Sequence, residues 1–306
     1  MAPLTRLLIA IVLALVAVSA AAGLKVHRVA DDVYAIVGDL GNRSPENLGN
    51  NATFGVVITR EGVVLIDPGG TYAGARRLHE KIRSLTDRPV VRVVNTGGQD
   101  HRWLGNGYFQ ERGASIVASQ RAVEDQQARS QDQFFALNAL VGAEGLQGTE
   151  PVVADTRFDE TLAFELGGVR FEIHHVATAH TPGDAFVWLP GKRIVFTGDI
   201  VYTERMLGVI EVSNSRDWLQ AFSAFAALKP EHVVPGHGAP TTLERAREDT
   251  EDYLKFLRTA VGKHMDDGKD ITTVGSIDQS AFARLLNFEQ LAGRNAQKVF
   301  TELEWE

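Results

Sequence analysis

Four stretches of this chain carry an imidazole or a carboxylate just beyond an apolar run. They are Thr96-Gly97-Gly98-Gln99-Asp100-His101 after Val94, Ala179-His180-Thr181-Pro182-Gly183-Asp184 after Val176, Thr197-Gly198-Asp199 after Phe196, and Pro235-Gly236-His237-Gly238 after Val234. Turns at strand ends have backbone that is not committed to a ladder, and sites on open sheets collect there. Asp100, His101, His180, Asp199 and His237 are therefore candidates for one shared centre. Cysteine is absent, so a metal in that centre takes nitrogen and oxygen ligands, which suits zinc, iron or manganese. Thiolate sites, cysteine nucleophiles and disulfides are excluded. Taken singly, each residue has a plainer role: Asp100 caps a helix starting near Trp103, and Asp199 closes the turn after Gly198. Only their joint occurrence points to metal.

The elements that must position these turns follow from apolar periodicity. Residues 26–29 and 33–37 read as strands, and 54–58 with 63–66 as a hairpin turning at 60–62. A surface helix over 72–85 leads to a strand at 91–94. Residues 103–112 are helical in character, 115–118 a strand, 120–140 a polar helix and 141–149 a glycine-containing loop. Strands at 160–166 and 169–176 pair around Gly167-Gly168, a strong hairpin signal, and 185–189 pairs with 193–196. A helix over 217–228, a strand at 232–234, a long charged helix over 242–265 and one or two helices within 277–303 complete the chain. Two strand-rich halves, each followed by helices, predict two sheets packed face to face with helices outside. His174 and His175 are adjacent in a strand and point to opposite faces. They and His27, His79, His232 and His264 are read as ordinary.

At 306 residues and 44% hydrophobic, the chain has ample material for a buried core. A net charge of −8 argues against an electrostatic grip on nucleic acid or an anionic membrane. Arg6, the apolar run 7–18 and Ser19-Ala20-Ala21-Ala22 have the form of a cleaved signal peptide over residues 1–22. The run is short of the roughly 20 apolar residues that span a bilayer. The expectation is export to the periplasm or beyond, no membrane association after cleavage, and one mature domain over residues 23–306.

From about residue 33 to 238 the motifs resemble, in order, those of the metallo-β-lactamase-fold superfamily. Its signature is H-x-H-x-D-H, a later His often in H-T-P-G, a bridging Asp or Cys at a strand end, and a final His in G-H. The matches are Asp100-His101 followed by Gly105-Asn106, then His180-Thr181-Pro182-Gly183, Gly198-Asp199 and Gly236-His237, with Asp67 as the structural Asp after the hairpin. Counting back from Asp100-His101, the first two His slots fall on Thr96 and Gly98. The resemblance implies a first metal site reduced to His180 and Asp199, and a second that keeps Asp100, His101, Asp199 and His237.

It thus implies one ion, zinc first and iron or manganese next, with a bound water as nucleophile, Asp100 and His180 assisting. Two carboxylate ligands cancel the charge of a divalent ion, so that water should be less acidic than on a three-His site. The fold implied is a four-layer αββα sandwich of two mixed sheets with C-terminal helices. The function implied is an exported hydrolase acting on an ester, thioester, lactone or related bond of a small molecule. The alternative is a non-catalytic periplasmic protein that binds a ligand or partner on the same scaffold, and a third is oxidoreduction at a single iron.

Overall fold

The computed structural model describes residues 23–306, so the expected leader over residues 1–22 lies outside the described residues. The first half runs β1 (Lys25–Ala30), β2 (Val33–Val37), β3 (Thr53–Thr59), β4 (Gly62–Ile66), α1 (Tyr72–Arg83), β5 (Val90–Val94), α2 (Asn106–Gln110), β6 (Ser115–Ser119), α3 (Gln120–Gly145) and β7 (Thr156–Phe158). Its strands pair in chain order into a seven-stranded sheet. β1 to β4 are antiparallel, with two-residue turns joining β1 to β2 and β3 to β4 and a longer loop joining β2 to β3, whereas the helical crossovers make β4 to β7 parallel.

The second half runs β8 (Thr161–Leu166), β9 (Val169–His175), β10 (Ala185–Leu189), β11 (Ile194–Phe196), α4 (Ser215–Ala227), β12 (His232–Val234), α5 (Leu243–Ala246), α6 (Asp252–Asp266) and α7 (Phe288–Glu304). These strands form a five-stranded sheet in the order β12-β11-β10-β9-β8. The β8–β9 hairpin turns on Gly167 and Gly168 at φ 56° and 86°, the left-handed pair that a two-residue turn between twisted strands requires. β11 and β12 are parallel across α4, which sets their carboxyl ends side by side.

Alternation along the strands decides the layers. In β10, Ala185, Val187 and Leu189 join Val33, Val57, Val64, Ile66 and Val94 between the two sheets, while Phe186 and Trp188 face Trp218, Phe222 and Phe225 of α4 and the helices beyond. The outer face of the first sheet packs Val56, Leu65 and Val93 against Leu78 and Ile82 of α1, Phe109 of α2 and Val123 of α3. The result is the four-layer αββα sandwich. No helix among the described residues is long and apolar enough to cross a membrane.

Four segments depart from the sequence reading, one of them β7 (Thr156–Phe158), a strand where none was expected. The stretch expected to be helical over 103–112 is helical only in the short α2, after a 3₁₀ turn at Asp100–Arg102, because Arg102 and Trp103 are drawn into the interior. α3 runs on to Gly145 where a loop was expected, since Leu137 and Val141 pack on Trp103; Gly142, at φ 76°, interrupts it. The long helix over 242–265 contains one π-helical turn at Arg247–Glu251. That turn grips the segment beyond Asp199: Thr250 Oγ1 donates to Tyr202 O at 2.6 Å and accepts from Tyr202 N at 3.0 Å, and Asp249 accepts from Glu204 N. Such turns recur at functional sites.

Candidate metal centre

His101 sits in the 3₁₀ turn after β5, Asp199 in the 3₁₀ turn Gly198–Ile200 after β11, and His237 in the loop after β12, so all three stand at carboxyl ends of strands. The turns close this tightly only with glycine. A Cβ on Gly198, at φ 50°, would meet Thr96 Oγ1 at 2.2 Å, and one on Gly236 would meet Gly198 O at 2.3 Å. One ligand atom from each of His101, Asp199 and His237 lies within 4.8 Å of the others, and all three residues are buried. His101 Nε2 is 3.3 Å from Asp199 Oδ2, and His237 Nε2 is 3.2 Å from Asp199 Oδ1.

Of the five candidates, the structure brings together these three and leaves Asp100 and His180 outside the cluster. Asp100 turns to Arg43, accepting from its Nε at 3.0 Å and from Nη2. Burial would raise the Asp100 carboxyl, but Arg43 and His101 hold it well below the usual carboxylate range. Because His101 rather than Asp100 faces Asp199 and His237, the expected register of H-x-H-x-D-H moves on by one residue. Its Asp slot falls on His101, its last His slot on Arg102, and its two leading slots on Gly97 and Gln99 instead of Thr96 and Gly98. Thr96 is committed elsewhere, its N and Oγ1 both donating to Asp67. The space a side chain at Gly97 would use is taken by Asp184 Oδ1, 2.3 Å from where a Cβ would stand. The first of the two leading slots is thus filled by the protein itself.

The residue that sequence reasoning missed is Arg102. It is fully buried, and its guanidinium reaches Asp67 Oδ2 at 2.8 Å, Asp199 Oδ1 at 2.6 Å and Gly236 O at 2.9 Å. Burial opposes its charge, yet Asp199 and Asp67 raise its pKa above the ordinary arginine value. Burial likewise would raise Asp199, but Arg102 and His101 hold it well below the carboxylate range. A fixed cation therefore stands beside Asp199 Oδ1 and leaves Oδ2 open.

Orphaned atoms test whether a metal fits. Asp199 Oδ2 and His101 Nε2 are buried without hydrogen-bond partners, an expensive state unless something else is bound there. His237 Nδ1 lies 2.8 Å from Asn51 O, and a carbonyl only accepts, so Nδ1 carries the proton. Burial, with Arg205 next, pushes the His237 pKa well below its ordinary value. Its neutral Nε2 then aims a lone pair at a carboxylate oxygen, two acceptors that a cation between them would satisfy. His101 has two tautomers: one accepts at Nδ1 from Arg43 Nη2 at 2.7 Å, the other gives Nδ1–H to Asp100 Oδ1 at 3.0 Å and frees Nε2 as a ligand. Two imidazoles and a carboxylate fit zinc, and equally iron.

His180 stands nearby, its Nδ1 donating to Gly208 O at 2.9 Å. Burial pushes its imidazole down to about 4, with Asp199 opposing. A value below the unfolded-state 6.5 means that the fold holds the ring neutral. Its contribution to stability is then complete above pH 6.5 and is lost as pH falls toward 4. An NMR titration of the chelated protein should give a His180 midpoint near 4; a midpoint near 6.5 would place the ring in water.

Residues 48–237 match a family model described as the metallo-beta-lactamase superfamily. The linear primary-alkylsulfatase of Pseudomonas sp. (strain ATCC 19151) is 22% identical over 233 residues, covering 66% of this chain and 43% of the relative. The metallo-beta-lactamase IND-1 of Chryseobacterium indologenes is 22% identical over 185 residues, covering 59% of this chain and 69% of the relative. The chain thus spans less than half the length of the alkylsulfatase that it matches. Among solved structures, the sec-alkylsulfatase Pisa1 from Pseudomonas sp. aligns with a TM-score of 0.70 at 15% identity, covering 91% of this chain and 50% of that one. A metallo-beta-lactamase from Pontibacter korlensis aligns at 0.57 and 22%, covering 73% and 95%. At these identities the structural likeness is one of fold.

Proposed function

Since the chain belongs to the metallo-beta-lactamase superfamily, we propose that it is an exported hydrolase of small molecules holding one divalent cation on His101, Asp199 and His237. The observation that carries this reading is the convergence of three buried ligand atoms within 4.8 Å, two of them without any other partner. Zinc is the first choice, with iron or manganese next, as the nitrogen and oxygen donor set allows. The bond cleaved is an ester, thioester, lactone or relative of these. β-Lactams and alkyl sulfates enter the range because the relatives' names carry them, and the fold does not choose.

When bound, the cation would supply Lewis acidity at the reacting centre. The chain's own residues set how strong that is. With Asp100 committed to Arg43 and Asp199 sharing Oδ1 with Arg102, the ligand set carries one carboxylate where the sequence counted two. Less of the ion's charge is cancelled. His180, with Nδ1–H fixed on Gly208 O, keeps Nε2 unprotonated at neutral pH and able to accept a proton beside the cluster. Export rests on residues 1–22.

Elemental analysis of the protein purified after periplasmic expression should give about one equivalent of transition metal per chain. Chelation should lower the melting temperature and added zinc restore it, because a ligand that binds only the folded state stabilises it by mass action. No bound metal, a melt indifferent to chelator and no turnover on ester, lactone and thioester panels would leave the scaffold as a binding protein.

A further inference from the structure

Helices α5 to α7 follow the residues that the family model matches, yet they and the turns between them hold the segment leading away from Asp199 along its length. Thr250 grips Tyr202, and Asp249 grips Glu204. Leu286, just before α7, accepts from Met206 N at 2.9 Å and donates to Glu204 O at 3.0 Å. The last grip is made by a side chain. Asn295 of α7, 1% exposed, accepts from Val209 N at 2.8 Å on Oδ1 and donates from Nδ2 to Leu207 O at 2.9 Å. A backbone N–H only donates and a carbonyl only accepts, so these two bonds fix which way the amide faces. Further buried groups brace it: Asn295 Nδ2 also donates to Tyr253 Oη at 3.0 Å, Tyr253 Oη donates to Gln279 Oε1 at 3.0 Å, and Gln279 Nε2 donates to Ala292 O at 2.8 Å.

Between the two gripped residues stands Gly208, whose carbonyl accepts from His180 Nδ1 at 2.9 Å. Gly208 C=O and Val209 N–H are the two ends of one planar trans peptide unit and point in opposite directions. Holding the N–H on Asn295 therefore aims the C=O at His180. Glycine has the freest backbone of any residue, so without a grip on both sides this carbonyl has no fixed direction. The aromatic neighbours of the His180 ring, Tyr202 and Trp218, stand edge-on with centroids at 5.8 Å. Such contacts do not tell Nδ1 from Nε2; the Gly208 carbonyl does.

We propose that Asn295 is the positioning residue for His180: through the Gly208–Val209 peptide it keeps the imidazole proton on Nδ1 and leaves Nε2 as a proton acceptor beside the metal cluster. The use of Nε2 in turnover rests on the hydrolase reading; the control of the tautomer does not. A ring whose proton sits on Nε2 accepts nothing there, so kcat should follow the fraction of His180 that carries its proton on Nδ1.

Long-range proton–nitrogen correlation spectra of the imidazole rings, recorded at neutral pH on the chelated and the zinc-loaded protein, read the tautomer directly. The His180 signals are assigned by their loss in His180→Gln. The wild type should carry the proton on Nδ1. Asn295→Leu, close in shape and without either bond, should move most of the population to Nε2–H and lower kcat about tenfold or more, with KM changed by no more than about twofold and the metal content unchanged. Asn295→Asp keeps the acceptor for Val209 N and loses the donor to Leu207 O, so it should fall between, and it serves if the leucine variant fails to fold. Tyr253→Phe is the control. It removes two buried hydrogen bonds of the same network but neither of those flanking Gly208, and should leave tautomer and kcat as in the wild type. An unchanged tautomer in the Asn295 variants, a shifted tautomer with unchanged kcat, or an equal shift in Tyr253→Phe overturns the proposal. An Asn295-dependent tautomer in a protein without turnover on any panel would instead sink the hydrolase reading and leave the positioning role standing.

Discussion

Arg102→Met should lower the free energy of unfolding by about 3–5 kcal/mol, because it leaves Asp67 and Asp199 buried without their shared cation. Both carboxylates are almost fully buried and reach the same guanidinium, at 2.8 and 2.6 Å. Urea unfolding at pH 7 measures the loss, and in a chain of this size it corresponds to a melting temperature lower by roughly 10 °C. Added zinc should recover part of the deficit in this variant, since a metal on Asp199 replaces half of what Arg102 neutralised. Arg102→Lys should lie between, as one ammonium does not span two carboxylates in the way a planar guanidinium does. Unchanged stability would mean that the two acids find other partners, and that Arg102 is not what holds the turns of β4, β5 and β11 together.

His237→Ala should cost roughly a hundredfold or more in metal affinity, with hydrolysis falling in step. Residues that only orient a ligand already account for 10- to 100-fold, and His237 offers a ligand atom directly, its Nε2 lying 3.2 Å from Asp199 Oδ1. Metal content by mass spectrometry after dialysis reads the loss independently of activity. Asp100→Asn is the informative companion. Asp100 sits behind His101, 3.0 Å from Nδ1, so its variant should keep the metal and weaken it by about 10- to 100-fold, as an orienting group does. An Asp100 variant empty of metal, beside a His237 variant that retains it, would reverse the assignment.

Much of the architecture was legible in the chain. The hairpin over Gly167-Gly168 announced itself because two residues at positive φ are needed there and glycine meets that need without strain. β10 was legible as a strand over 185–189 paired with 193–196, and the structure shows all five of its residues, Ala185 to Leu189, buried. Where the reading slipped, the cause was long-range. Nothing local distinguishes Gly142 inside a helix from Gly142 in a loop; the packing of Val141 on Trp103 and Leu137 extends α3 past the expected end. The π-helical turn likewise depends on Thr250 and Asp249 gripping a segment some 45 residues away in sequence.

The sequence by itself determined the class of fold, through alternation and turn chemistry, and the donor types open to a metal, through the absence of cysteine and the His and Asp residues at strand ends. Only the tertiary structure decided which neighbour in Asp100-His101-Arg102 does what. Three adjacent polar residues in a tight turn point in three directions, and the direction of each is set by what waits there: Arg43 for Asp100, Asp199 and His237 for His101, and Asp67 with Asp199 for Arg102. Those partners lie up to 136 residues away, and side chains this far apart in sequence are neighbours only once two sheets have closed on one another. A one-residue register in a motif is invisible to spacing, but it is fixed by which buried charge must meet which.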